Sequence, residues 1–217
     1  NFEFEPSFSA DGKTIAYVTW SDDDLGSIKT IAASGGRAQK VSKTPGIFRA
    51  PSFAPDGKTI AYFRESGNNH QGYAYCQEPG VYTIPTADGE ENRISKSGQY
   101  PVFNQKGDRV FFQKGGVLFG ALSKEYCSVK AIGGDERTHL NAKHAQRFSV
   151  SPDNKWVAWS ELHKVFVAPF PMTGNKVTLA AKGKNLPVAQ VAKDAGINLH
   201  WSADSKRLNW TLGNQLF

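Results

Sequence analysis

The sequence predicts an all-β fold, a β-propeller, on three observations. A hairpin-like segment recurs five times in phase along the 217 residues. Short β-branched and aromatic runs punctuated by Gly, Pro and Asp follow each recurrence, about four to a unit. No stretch between them carries a helical repeat of apolar residues.

The clearest copy is Ala50-Pro51-Ser52-Phe53-Ala54-Pro55-Asp56-Gly57-Lys58-Thr59-Ile60-Ala61-Tyr62-Phe63. Pro55 brings the φ that the first central position of a type I turn requires, and Asp56 can bond the turn backbone. Gly57 tolerates the left-handed conformation that returns the chain. Aligned on the residue before each turn, the copies start from Phe8, Phe53, Phe103, Val150 and Trp201, at spacings of 45, 50, 47 and 51. Their turns carry Asp11-Gly12, Asp56-Gly57, Lys106-Gly107, Asp153-Asn154 and Asp204-Ser205. Gly12, Gly57 and Gly107 thus hold the left-handed position, Asn154 is the next-best residue there, and Ser205 is the least suited.

The strands after the turns are expected at 14–19, 59–64, 109–113, 156–160 and 207–211. Third strands follow at 27–33, 80–86, 128–132 and 164–169, and more polar fourth strands at 38–42, 92–95, 137–140 and 177–180. Four short strands in each unit of 45 to 50 residues make a propeller blade, with the first strand innermost and the polar fourth outermost. Ala16, Ala61 and Ala158 recur at one register of the second strand, where neighbouring sheets would approach closely. The blades are expected at 2–45, 46–97, 98–142, 143–192 and, incomplete, 193–217 of a single partial propeller. Four units and part of a fifth do not close a ring, so the chain reads as a piece of a six- or seven-bladed one.

Two insertions break the rhythm. Residues 66–79 form a long loop carrying His70, Tyr73 and Tyr75, and 117–126 an apolar insertion carrying Phe119 and Tyr126. Long loops on a rigid scaffold are where binding concentrates, so these residues are binding candidates. The second insertion reads equally well as a short helix plugging a blade interface. His200, before the innermost-strand Trp201, is a further binding candidate facing the channel.

The charge of +6 arises from 26 basic and 20 acidic residues spread among each other, without the basic block or aromatic platform of a nucleic-acid surface. No run reaches the length of a membrane helix. Cys76 and Cys127 lie at similar offsets in adjacent units and allow one disulfide, one metal pair or two thiols. The five histidines, His70, His139, His144, His163 and His200, fall at no paired-ligand spacing. No Gly-x-Ser-x-Gly nucleophile elbow is present. Asp11, Asp56, Asp153 and Asp204 are accounted for by their turns, and Asp22-Asp23-Asp24 by a solvated loop. No residue is assigned a catalytic role, a metal or a cofactor.

Pro51-Ser52-Phe53-Ala54-Pro55-Asp56-Gly57-Lys58-Thr59-Ile60-Ala61-Tyr62 resembles the TolB-type, WD40-like propeller repeat, and all five units share it to some degree. That motif specifies fold more than function. Asp135-Glu136-Arg137-Thr138-His139-Leu140, residues 149–161 and 165–171, and above all 193–205 resemble the propeller region of large bacterial amidohydrolases. The resemblance implies a periplasmic or secreted, non-catalytic propeller that scaffolds, screens substrate for or docks a metal-dependent amidohydrolase barrel. The partner is then that catalytic domain, in the same chain or in another protein. A zinc-like divalent ion would belong to the catalytic domain alone, since its His-x-His pair has no match here. The alternative is a stand-alone TolB-like propeller that binds a protein or peptide. Its unpaired terminal strands would favour strand-mediated self-association.

Overall fold

The computed structural model describes residues 2–65, 78–115, 123–183 and 186–217. The fold is all-β and of β-propeller type: five consecutive small sheets, with no helix among the described residues. The first sheet holds β1 (Phe2–Phe8), β2 (Thr14–Ser21), β3 (Leu25–Ala32) and β4 (Gln39–Lys40). The second holds β5 (Phe48–Phe53), β6 (Thr59–Arg64), β7 (Gly80–Pro85) and β8 (Asn92–Ser95). β9 (Gln99–Phe103), β10 (Arg109–Gly115), β11 (Ser123–Lys130) and β12 (Arg137–Lys143) follow in the third. β13 (Ala145–Val150), β14 (Trp156–Glu161) and β15 (Lys164–Pro169) build the fourth, ahead of β16 (Val177–Leu179) and β17 (Ala189–Gln190). β18 (Ile197–Trp201), β19 (Leu208–Leu212) and β20 (Gln215–Leu216) make a three-stranded fifth sheet.

All five first turns take one form. Gly12, Gly57, Gly107, Asn154 and Ser205 have φ of 69°, 71°, 72°, 57° and 62°, and each donates its N–H to the carbonyl three residues back. The carboxylate of Asp11 accepts from the Lys13 N–H at 3.1 Å, and Asp56, Asp153 and Asp204 accept likewise from Lys58, Lys155 and Lys206. In the third unit, which has no Asp in the turn, the Asn104 side chain accepts from the Arg109 N–H at 3.2 Å instead.

Two expected strands are corrected. Chain order places residues 177–180 in the fourth sheet, yet β16 pairs in parallel with β12 as the fifth strand of the third, whose order is β16-β12-β11-β10-β9. There Leu179 is buried beside the buried Leu140 and Ala142, and the Thr178 hydroxyl donates to Asn141 Oδ1 at 2.7 Å. β17 takes the vacated place against β15. The third strand of the third unit, expected at 128–132, is β11 and starts at Ser123. It ends at Lys130 because the Gly133 N–H bonds the Lys130 carbonyl and turns the chain through Ala131 and Ile132. Of the insertion at 117–126, Ser123 to Tyr126 are therefore strand, and 117–122 lie outside the described residues.

The chain clusters into two compact units: residues 1–112 with 128–136, and 113–127 with 137–217. The first has a core of Ala16, Val18, Ile28, Phe48, Ile60, Tyr62, Tyr82 and Ile84. In the second, Ala158, Val165, Ala192, Leu199 and Trp201 pack together. Ala16, Ala61 and Ala158 are all fully buried and stand opposite Ser7, Ser52 and Ser149 of the first strands. A larger side chain at such a fully buried position would overpack the core.

Candidate functional site

The first strands carry a recurring backbone anomaly. Glu5, Ala50 and Tyr100 have φ of 53°, 47° and 53°, each three residues before the strand's terminal Phe and each directly before a proline. Asn198, at φ 54°, stands at the same offset from Trp201. Left-handed φ is costly for a residue with a side chain, and the residue before proline is restricted further. In β1 and β5 the pairing register shifts at this point. Such strain at one repeated place marks the strand segment as a candidate site.

In the first unit this register is charged. Both Glu5 oxygens are engaged: Oε1 accepts from Arg49 Nε at 2.9 Å and Nη2 at 2.7 Å, and Oε2 accepts from the Ala50 N–H. Arg49 also reaches Glu65 at 3.3 Å and stands over the Phe4 ring. The hydrogen bonds that Arg49 donates to Glu5 stabilise the charged guanidinium, and Glu65 adds to them. Hence β1, β5 and the end of β6 hold a cation between two carboxylates. On β5, Ser52 donates to the Pro101 carbonyl of β9 at 2.7 Å and ties the next first strand alongside.

A buried ion pair supports the same sheet. Arg64 and Glu91 side chains are in contact and only 13% and 12% exposed, with Arg64 between the Phe48 and Tyr82 rings at 5.3 and 4.8 Å. Tyr62 stacks on Tyr82 and is fully buried, and burial drives its phenol pKa upward. Neither Tyr62 Oη nor Glu91 Oε1 has a hydrogen-bond partner among the described residues. At the turn end of this unit lies an open pocket of about 390 Å³, with Asp56, Glu90 and Lys106 around Pro55, Phe103 and Ile132.

Of the residues singled out from sequence, His70, Tyr73, Tyr75, Cys76 and Phe119 lie outside the described residues. The Cys76–Cys127 pairing therefore has only one described end: Cys127 is buried in β11, its Sγ 3.6 Å from Thr138 Oγ1. Tyr126 is not in a loop but in β11, 3% exposed, with Phe148 and Phe170 at 5.7 and 6.1 Å, and burial raises its pKa. His200 is exposed on β18, opposite Asn209. His139 is buried against Phe170. Among the described residues no group of three His, Cys, Asp or Glu is placed to hold a metal ion. The adjacent acidic pair is held by neighbouring strands: Asp135 accepts from Arg109 at 2.8 Å and Glu136 from Ser95 at 2.9 Å.

Nothing in the local sequence pattern marks Glu5, Arg49, Arg64 and Glu91 as partners, because the pairs lie 44 and 27 residues apart. One signal was there to use: a residue-plus-proline step, Glu5-Pro6, Ala50-Pro51 and Tyr100-Pro101, at the same offset in three units. Among the described residues no helix is long and apolar enough to cross a membrane.

A scan against protein-family models finds no match, and a search of curated proteins finds none. Solved structures do resemble the chain. TolB from Acinetobacter baumannii superposes with a TM-score of 0.69 at 18% identity, over 96% of this chain and 48% of that one. A TolB-type structure from Agrobacterium tumefaciens gives 0.53 at 19% identity, over 66% of this chain and 50% of the other. An oligogalacturonate lyase in complex with manganese gives 0.65 at 10% identity, over 94% of this chain and 60% of the lyase. At such identities the likeness is one of fold, TolB-like and β-propeller. The chain spans about half the length of the two TolB structures.

Proposed function

We propose that this chain works by binding rather than by catalysis, as the interaction or substrate-access propeller of a larger, periplasmic or secreted metal-dependent amidohydrolase. The observation that carries the binding reading is that six carboxylates, at the first strands, in the supporting ion pairs and in the turns, are occupied. Glu5 holds Arg49, Asp135 holds Arg109, Glu91 holds Arg64, and Asp11, Asp153 and Asp204 hold their turns. A general acid or base needs a carboxyl free to exchange its proton near a substrate. These are committed to cations and backbone N–H groups. The finer assignment to an amidohydrolase rests on the resemblance of residues 193–205, with the zinc-like ion placed in a domain outside this segment.

A stand-alone TolB-like protein- or peptide-binding propeller is the second reading, favoured by the fold likeness to TolB. Intact mass of the native protein from its source separates the two. A species large enough to carry a further enzyme domain, hydrolysing amide substrates with a dependence on divalent metal, supports the first. A species near 23.8 kDa overturns it.

A further inference from the structure

Charge is divided unequally between the two compact units. The first has 13 basic and 15 acidic residues; the second has 13 basic and only 5 acidic. Of those five, Glu125 pairs with Lys176, and Asp153 and Asp204 are bound in turns. Glu161 accepts from Trp159 Nε1 at 3.1 Å and from the Ala181 N–H at 3.3 Å. Four of the five carboxylates thus have partners inside the unit; the fifth, Asp194, is exposed beside Lys193, where Lys143, Lys164 and Lys193 outnumber it.

One end of this unit combines that excess with exposed aliphatic side chains on strained backbone. The β14–β15 hairpin closes through Glu161 and Lys164, with Leu162 and His163 both left-handed at φ 48° and 71°. A two-residue turn of this kind favours Asn-Gly; a residue bearing a bulkier side chain costs roughly 1–2 kcal/mol in the left-handed region. Leu162 nevertheless stands at its tip, 65% exposed. The Gly196 N–H donates to the His163 carbonyl at 2.8 Å and the Val191 N–H to the Val165 carbonyl at 2.9 Å, which brings residues 191–197 alongside. Val191 and Ile197 are exposed there too, at 41% and 51%. Ala145 pairs with Glu161, so Lys143 reaches the same end, where Lys164 and Lys193 are also exposed.

We propose that this end, Leu162, Val191 and Ile197 among Lys143, Lys164 and Lys193, is a docking surface for an acidic amphipathic peptide segment of a partner protein. Branched aliphatic side chains at the centre and lysines at the rim are complementary to a segment alternating Leu or Ile with Asp or Glu. A nucleic-acid strand would call for aromatic platforms and a bilayer surface for Trp or Tyr anchors; the exposed apolar side chains named here are all aliphatic. A strained turn kept in place of Asn-Gly is the mark of a position selected for something other than stability. The proposal rests on the binding reading above. Its failure leaves the choice between enzyme-linked and stand-alone propeller untouched, because that choice is read from native mass.

The test is fluorescence anisotropy with a labelled peptide of about twelve residues alternating Leu with Glu, titrated with the whole protein at low salt and at about 0.5 M salt. Saturable binding that weakens at high salt is expected. Leu162→Asn with His163→Gly, which installs the favoured turn, should weaken it at least about tenfold while the thermal midpoint stays level or rises. Lys193→Glu, which leaves the hairpin untouched, should weaken it as well and serves if the double variant does not fold. No binding by the parent protein, or equal binding by Lys193→Glu, overturns the proposal. So does binding to phosphatidylglycerol vesicles without binding to the peptide.

Discussion

Ser151 Oγ donates to Asp153 Oδ1 at 2.6 Å, and the same bond joins Ser9 to Asp11 and Ser202 to Asp204. Each serine also accepts, at 3.0 Å, the N–H of the residue that opens the next strand or stands just before it: Trp156, Thr14 and Arg207. A hydroxyl and a carboxylate two residues apart therefore fasten both sides of the turn.

That geometry sets a pH dependence. The Ser hydrogen bond is the largest of the effects that hold the Asp11, Asp153 and Asp204 carboxyls below their ordinary 3.8, with the Lys N–H bond adding to it. A carboxyl lowered in the folded state contributes stability that is fully present above the unfolded value. The contribution is lost as pH falls through the folded one. Urea midpoints should therefore drop below about pH 4. The triple variant Asp11→Asn, Asp153→Asn, Asp204→Asn should be less stable at neutral pH and lose less on acidification. Parallel curves for the two proteins would contradict this.

Gly57→Ala should cost about 1–2 kcal/mol, since φ is 71° and a methyl there would meet nothing within 4 Å, leaving only the conformational term. The melting midpoint should fall by roughly 2–8 °C. Ser205→Gly should be close to neutral, because relief at φ 62° is offset by losing the Ser205 Oγ that accepts the Asp153 N–H at 3.0 Å.

Arg64→Met should destabilise by about 3–5 kcal/mol, because it strands Glu91, whose side chain is only 12% exposed, in the interior. Replacing both, as Arg64→Met with Glu91→Leu, should recover much of that loss. Chemical denaturation of the two single variants and the double variant measures the coupling. A double variant no better than Arg64→Met would show that the ring contacts of Arg64, not the pair, carry the energy.

Leu179→Ala should cost about 2–5 kcal/mol and expose the edge of β12. Amide exchange should then quicken in Arg137–Lys143 well before it does in β14. Uniform quickening across the chain would mean that β16 is not a local cover for that edge.

The turns were legible in the sequence because their chemistry is local: Asp, Gly and Asn meet φ and hydrogen-bond demands within a few residues. The strand pairs bracketing them follow from the same signal. The placement of β16 was not legible, since Val177-Thr178-Leu179 reads as a strand without saying which edge it will join, and the two candidates differ only in non-local burial. Tyr126 is ambiguous in the sequence for a related reason: an apolar run next to an irregular insertion reads the same whether it is a loop or a core strand. Arg49 and Glu5 are 44 residues apart, and only the folded first strands bring them together.

The exchange of β16 into the third sheet has a consequence for synthesis. A sheet made of consecutive strands can finish as soon as its last strand leaves the ribosome, and domains tend to fold in that order. Here the outer edge of β12 waits until most of the fourth sheet has been made, so the third and fourth sheets must mature together rather than in sequence. A translational pause between Lys143 and Val177 would hold an unpaired strand edge open in the nascent chain, the state most prone to pairing with a neighbour.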